Sequence, residues 1–557
     1  MRLKPYLLWL SLLFFVACGN PSTPPKPPSE VVIAEKPEEV QVKASEQLEK
    51  LISFLGESNG KLNDSTTLRN YQLLRDIYSG SGYEPIWSEN NRWKLLGDSL
   101  FHVIFKSKEF GLFPSDYHLE PILAIRNKFV IDTAARKNIA SWTRADILLT
   151  DGFLQMARDL YSGRLVKDSI TMRADSLSPQ QLKGCLDTLL LTNQPHAVLE
   201  PLEPQHPGYK ALRAALPGFL DSTQFRKYTY VQFPQADSMT LIREVARRLQ
   251  EDTLLAADWQ EQDSAAYSAA VRKYQSAHSI RTTGVAAELT VKSLNNTGWE
   301  KFKRIAINLD RYKQIPAKLP ETYIWVNLPS FTLTLVDMDT IALQSKVIVG
   351  ASKTRTPVLT SEIVNFITYP QWTVPYSIIF KEMLPKIQKD TNFLARQNLM
   401  VVDKNDSVIS PSSIDWFKLN KNHFPYLIRQ RQGDDNSLGV MKFNFRNKYA
   451  VYLHDTNARG LFSRSARALS HGCVRVQEWE KLAHFLVRND EIRYHPDTLR
   501  AWISRQEKHV ISDFVHVPIF IRYFTCEADG GRIKFFDDIY ADDRMLAERY
   551  FRNKPIN

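Results

Sequence analysis

Cysteine is scarce in this chain: four residues in 557, at positions 18, 185, 473 and 526. That excludes a disulfide-framework fold, and no two of them stand at the short interval a closed zinc site uses. Long apolar runs are missing after the first seventeen residues, so nothing downstream reaches the ~18 apolar residues a membrane-spanning helix needs. A glycine-rich phosphate loop is also missing, as are recognisable nucleic-acid-binding motifs and internal repeats of 20 to 50 residues, which argues against a nucleotide enzyme, a nucleic-acid binder and a solenoid. What remains is ordinary globular composition, 43% apolar, 11% aromatic and 24% charged. A chain this long exceeds the ~250 to 300 residues at which single cores stop growing, so several domains are expected.

The one apolar run follows Arg2 and Lys4, from Leu7 to Val16, and suits a signal peptide better than a span. It ends in Phe15-Val16-Ala17-Cys18, which resembles a bacterial lipobox and implies lipidation of Cys18. Cleavage after Ala17 that leaves Cys18 unmodified is the alternative. The formal charge of +11 falls to about +9 without the leader, a balance that suits anionic wall polymer or lipid, or solubility alone. Cys185 and Cys526 could pair or could be buried thiols.

Residues 18 to 45 hold six prolines among polar residues and read as an extended tether. From 46 to 238 apolar residues recur at helical spacing, as in Ile147, Leu148, Phe153, Leu154, Ala157 and Leu160, which predicts a helical scaffold domain. Residues 239 to 298 carry further helix faces and then a turn at Thr283-Gly284. There Ala270-Val271-Arg272-Lys273-Tyr274-Gln275, Gly284 and Leu294-Asn295 resemble the three-helix peptidoglycan-binding domain. A linker helix is expected within 299–320. Residues 321 to 550 then turn to short β-branched runs, a mainly β domain interrupted at about 381–438 by an inserted cap subdomain. The whole reads as a multidomain α+β chain.

Chemistry concentrates at Tyr452-Leu453-His454-Asp455-Thr456 and, after a gap of fifteen residues beyond His454, at Ser470-His471-Gly472-Cys473-Val474-Arg475. A cysteine attacks a carbonyl as thiolate, so it needs a base or a positive field and a turn that exposes its sulfur. Gly472 supplies the turn, and two imidazoles are in plausible reach.

These residues are similar to the signature of the L,D-transpeptidases, which cross-link peptidoglycan through a cysteine nucleophile. The resemblance extends to Val326–Phe331, to Val349, Gly350, Thr356 and Pro357, to Pro370, Trp372, Val374 and Pro375, and to Asn436, Leu438, Gly439, Lys442 and Phe443. It implies that Cys473 attacks a diaminopimelate carbonyl in a tetrapeptide stem, releasing D-alanine and leaving a thioester. His454 would serve as base near its ordinary pKa of ~6.5, so that activity rises through roughly pH 6 to 8. Gly472 and Cys473 N–H groups, with Tyr452, would hold the oxyanion. Arg475, Ser470 and His471 would contact substrate, and a second diaminopimelate amine would accept the acyl group as a 3–3 cross-link. No cofactor and no metal are implied. The partners would be stem peptides and glycan, with no nucleic acid, in a monomer held by lipid on the periplasmic side of a diderm envelope. The cap would shield the thioester from water.

Each residue has a plainer reading. Cys473 could be a structural thiol, Arg475 an ion-pair partner, and His471 a shaper of the turn. Asp455 could orient His454, but it points to the opposite face of the strand and more naturally bonds main chain. The set His454, His471 and Cys473 could in principle bind zinc, though the spacing is poor. A catalytically silent wall-binding lipoprotein, an L,D-carboxypeptidase and a lipoprotein-to-peptidoglycan ligase are the competing functions.

Overall fold

The computed structural model describes residues 27–63, 66–166, 176–490 and 492–556. The signal peptide, Cys18 and the first part of the expected tether lie outside them. The chain forms two compact units, one of residues up to 105 with 114–157 and 178–198, the other of 106–113, 158–177 and 199 onward.

The first unit is helical, with helices Pro37–Glu57, Tyr71–Gly80, Leu95–Phe105, Leu119–Ile131 and Pro179–Thr192 beside the long Ile139–Ser162. The periodic residues Ile147, Leu148, Phe153, Leu154 and Ala157 are all fully buried. Asp146 is buried among them and accepts hydrogen bonds from the Ile86 and Trp87 N–H groups and from the Tyr78 hydroxyl. The tether is shorter than expected. A helix begins at Pro37 and buries Val40 and Ala44, because proline at the first helical turn gives up no needed hydrogen bond.

In the second unit, helices Pro207–Ser222, Gly298–Tyr312 and Asp542–Phe551 pack with the hairpin Cys526–Asp529/Arg532–Phe535 around Phe302, Ile305, Leu309, Tyr209 and Phe551. The expected linker helix at 299–320 is therefore core. Trp299, Phe302, Ile305 and Leu309 supply a full apolar stripe that must be covered on folding. Helices Ser238–Glu251, Ser264–Ala277 and Glu288–Leu294 enclose a separate small core of Val245, Leu249, Val271, Tyr274 and Leu294, joined by Val231 upstream of the expected boundary. Gln275 staples this unit from within: its amide donates to Thr290 Oγ1 at 2.9 Å and accepts from the N–H groups of Thr283 and Gly284.

The β region is one hydrogen-bonded ladder that closes on itself. Strands run in the order Met441–Phe445, Leu453–His454, Val474–Val476, Thr340–Gly350, Thr332–Asp337, Thr322–Asn327, Val517–Arg522 and Leu359–Thr368, and the last pairs again with the first. Closure buries one face of every strand, including Val326, Val347, Phe366, Phe443, Leu453 and Val474. The opposite face of Met441–Phe445, Leu453–His454 and Val474–Val476 carries Lys442, His454 and Arg475.

The inserted subdomain begins at Trp372, earlier than the expected 381. Short helices and a four-stranded sheet, Trp372–Thr373, Leu427–Gln430, Leu399–Val402 and Val408–Ile409, surround their own core of Ile379, Ile387, Leu394, Val401, Trp416 and Ile428. Cys185, Cys473 and Cys526 are free thiols, and Cys526 is fully buried. Among the described residues no helix is long and apolar enough to cross a membrane.

Candidate active site

Strand register builds the site. Lys442 lies directly opposite His454 in an antiparallel pair, and His454 lies directly opposite Arg475 in a parallel pair. Residues facing each other in neighbouring strands point their side chains to the same face, ~4.5 to 5.5 Å apart at Cβ. Lys442, His454 and Arg475 thus form one row across three strands. Tyr452, two residues before His454, shares that face, its ring 5.6 Å from the imidazole. Cys473, two residues before Arg475, stands beside Tyr452 at the end of its strand.

The turn that presents Cys473 is held from several sides. Gly472 has φ +116°, a conformation a side chain would strain. The Ser470 hydroxyl donates to the Cys473 carbonyl at 2.6 Å and accepts from the Gly472 N–H at 3.2 Å. Thr356 donates to the Gly472 carbonyl at 2.8 Å, and Thr354 donates to the Ser470 carbonyl at 2.9 Å. Tyr540 locks that segment by donating to the Gly350 carbonyl and accepting from the Thr356 N–H.

Two expectations change here. Ser470 is buried with its hydroxyl engaged inside the turn, which it braces against Cys473 and Gly472 instead of facing outward. The Gly472 N–H is likewise occupied, which leaves the Cys473 N–H, without a hydrogen bond among the described residues, as the main-chain donor for an oxyanion.

Cys473 is half-buried, and its thiol faces the Ala450 carbonyl at 3.9 Å. Burial pushes its pKa up, against hydrogen bonding from Tyr452 and the fields of Lys442 and Arg475, which pull it down. Cys473 and Trp372 act on the Tyr452 hydroxyl in opposite senses, Cys473 raising its pKa and Trp372 lowering it, which brings the first strand of the inserted subdomain close to Tyr452.

His454 is buried, and its Nδ1 makes no hydrogen bond among the described residues. No hydrogen bond joins the imidazole to Cys473 among the described residues. Burial first, then the Arg475 charge, lowers its pKa to about 3, against the Asp455 and Leu438 main-chain carbonyls that favour the protonated ring. The expectation of an ordinary histidine near 6.5 is corrected: at neutral pH the ring is an unprotonated acceptor.

Asp455 faces away, as strand alternation requires. It accepts from Arg459 at 2.6 Å and from the Val440 N–H at 3.1 Å, and Gly439 is needed beside it because a Cβ there would lie 2.3 Å from its carboxylate. His471 is exposed and bonds Glu382 of the inserted subdomain at 2.7 Å, so it neither shapes the turn nor faces the thiol. Arg475 is half-buried, and its Nε has no partner among the described residues. Lys442 was quoted in a motif without a role. Its ammonium lies 4.2 Å from the Tyr452 ring centre, and only the pairing register shows it beside His454.

A family model described as the L,D-transpeptidase catalytic domain matches residues 321–493. That stretch is similar to the catalytic domain of the L,D-transpeptidases. A second model, the scaffold domain, matches residues 72–216. A curated protein of Haemophilus influenzae named "Putative L,D-transpeptidase" is 38% identical over 247 residues, 44% of this chain and 49% of that protein. The match thus spans about half the length of that relative. Solved structures of an Enterococcus faecium L,D-transpeptidase mutant and of Mycobacterium tuberculosis L,D-transpeptidase 1 are similar at 12% and 11% identity. They cover 38% and 36% of this chain and 52% and 61% of theirs, with TM-scores of 0.17 and 0.14. The L,D-transpeptidase assignment therefore rests on the family model and the curated relative.

Within the matched stretch 321–493, the residues of the sequence signature fall into two sets. Cys473, Tyr452, His454 and Arg475 share the reactive face, while Ser470, Gly472, Thr356 and Asp455 hold the backbone behind it.

Proposed function

We propose that the chain is an L,D-transpeptidase that joins peptidoglycan stems by 3–3 cross-links through a Cys473 thioester. What carries this reading is the arrangement at the turn: a half-buried thiol on the strand face that also carries a buried imidazole, with the His454 Nδ1 and the Cys473 N–H both without a hydrogen bond among the described residues. In the first step the Cys473 sulfur bonds to the carbonyl carbon at the L-centre of a diaminopimelate residue, and the thiol proton passes to His454 Nδ1. The Cys473 N–H holds the negative oxygen. His454 returns the proton to the departing nitrogen, the C–N bond breaks, D-alanine leaves and the thioester remains. A side-chain amine of a second stem then attacks, loses its proton to His454, and expels the sulfur, which recovers the proton as thiol.

Tyr452 orients the sulfur, and the inserted subdomain, in contact through Trp372 and through Glu382, covers the thioester until the amine arrives. The three-helix unit at 239–298 holds the enzyme on glycan. Lipid on Cys18 tethers a monomer to the membrane on the periplasmic side of a diderm envelope.

The test is incubation of the mature protein with a disaccharide-tetrapeptide, with products read by mass. The expected products are a 3–3 dimer and free D-alanine, and Cys473→Ala should lower both by at least about 10³-fold while the fold survives. A tripeptide without dimer would make the protein a carboxypeptidase. No product from the intact enzyme would leave only a wall-binding role.

A further inference from the structure

The row across the three strands places two cations on either side of the imidazole, Lys442 on one neighbouring strand and Arg475 on the other. Neither meets a carboxylate within ion-pair distance among the described residues. The acidic groups nearby are committed elsewhere: Asp455 to Arg459 and the Val440 N–H, Glu382 to His471. Both cations are half-buried, and the Arg475 Nε is buried with no acceptor. Withdrawing two like charges from water side by side without a counter-ion is unfavourable, and the Tyr452 ring under Lys442 offsets only part of that cost. An anion entering the site would satisfy both at once.

We infer that Lys442 and Arg475 together receive a carboxylate of the substrate beside Cys473, which makes Lys442 a specificity-determining residue of this site. The inference deepens the transpeptidase reading and rests on it for the identity of the substrate. Two groups near the scissile carbonyl carry the required chemistry, the terminal carboxylate of the leaving residue and the carboxylate on the diaminopimelate side arm. The guanidinium fork offers two parallel donors to such a group, and the ammonium offers a third from the other side.

The pair predicts a preference that appears without any peptidoglycan. Iodoacetate and iodoacetamide alkylate the same thiolate by the same displacement, but only the first brings a carboxylate. In the full mature protein the ratio of their rates at Cys473, followed by peptide mass, should exceed the ratio for N-acetylcysteine by about tenfold. Lys442→Met and Lys442→Gln should each bring it down towards the free-thiol value. A ratio in the unaltered protein equal to that of N-acetylcysteine, or one that both variants leave in place, overturns the pair.

With tetrapeptide donors, amidating the carboxylate that is bound should lower kcat/KM by about tenfold or more, and Lys442→Met should erase that discrimination. Amidation of the terminal carboxylate alone and of the side-arm carboxylate alone tells the two sources apart. Equal turnover of the free acid and both amides sinks the inference. Failure of the transfer reaction itself would show differently, as no turnover of any donor with the alkylation ratio still elevated.

Discussion

Two places in the second unit bury cations, and they treat them in opposite ways. On the helix Gly298–Tyr312, Asp310 is fully buried and accepts from Arg164 Nε at 3.0 Å and from Lys313 Nζ at 2.9 Å, and Lys313 also donates to the Asp159 carbonyl. Burial alone would raise the Asp310 pKa, but the two cations hold it below its ordinary value. On the reactive face Lys442 and Arg475 have no carboxylate partner among the described residues; burial lowers the pKa of both, opposed only by the Cys473 sulfur when it is ionised. The first arrangement is complete as folded. The second is complete only when something negative arrives, and the contrast separates a cluster that serves the fold from one that serves a ligand.

The contrast is broken most directly at the paired cluster. Asp310→Ala removes the buried carboxylate that accepts from both Arg164 and Lys313, and removing one partner of a buried ion pair costs about 3–5 kcal/mol. Urea denaturation should show a loss of that size. A loss below about 1 kcal/mol would mean that the cluster relaxes into water and that the two sites do not differ in kind.

At the reactive face the sign should reverse. Lys442→Met removes a charge that the fold does not compensate and keeps most of the side-chain volume. It also forfeits a cation–π contact of about 0.5–2 kcal/mol. The net change in stability should be within about 1 kcal/mol of zero, while turnover of the free-acid donor falls. A loss of 3 kcal/mol or more in the same denaturation experiment would place Lys442 with Asp310, as part of the scaffold.

The same pair of sites shows what the sequence could and could not reveal. The turn at Cys473 was legible because its glycine and flanking residues are contiguous, so a short string specifies the backbone conformation found there. The long helix through Phe153 was legible from spacing alone. The place of Lys442 beside His454 was not, because it depends on which strands pair and in what register, and eleven residues of loop and strand separate the two. The burial of Asp310 and Lys313 was not legible in a segment expected to be a linker helix, because it depends on Arg164, far away in the chain, packing against them. Pro37 read as tether because proline is common in both extended segments and first helical turns, and composition does not distinguish them. The start of the inserted subdomain at Trp372 was missed for a similar reason: its two-residue strand has no periodicity to detect. The Ser470 hydroxyl and the Gly472 N–H were assigned to substrate and oxyanion because a motif names residues without saying which of their hydrogen bonds are already spent.

The smallest effect expected is one of position on the pH axis, and it bears on why the cations flank the imidazole. A base whose conjugate acid titrates at about 3 is already neutral at pH 5, so raising the pH from 5 to 7 recruits no further base. The rise through pH 6 to 8 expected for an ordinary histidine should therefore be absent. Ionisation of Cys473 should govern instead, and since burial raises that thiol above its ordinary range, alkylation by iodoacetamide should climb in a single step on the alkaline side. Lys442 favours the thiolate, so Lys442→Met should move the step to still higher pH, the direction that separates loss of a cation from loss of packing. A reactivity plateau already reached between pH 6 and 7 would instead mean that Cys473 and His454 rest as an ion pair. In that case the two cations could not be leaving the imidazole unprotonated, and the row would have to be read as compensated from within.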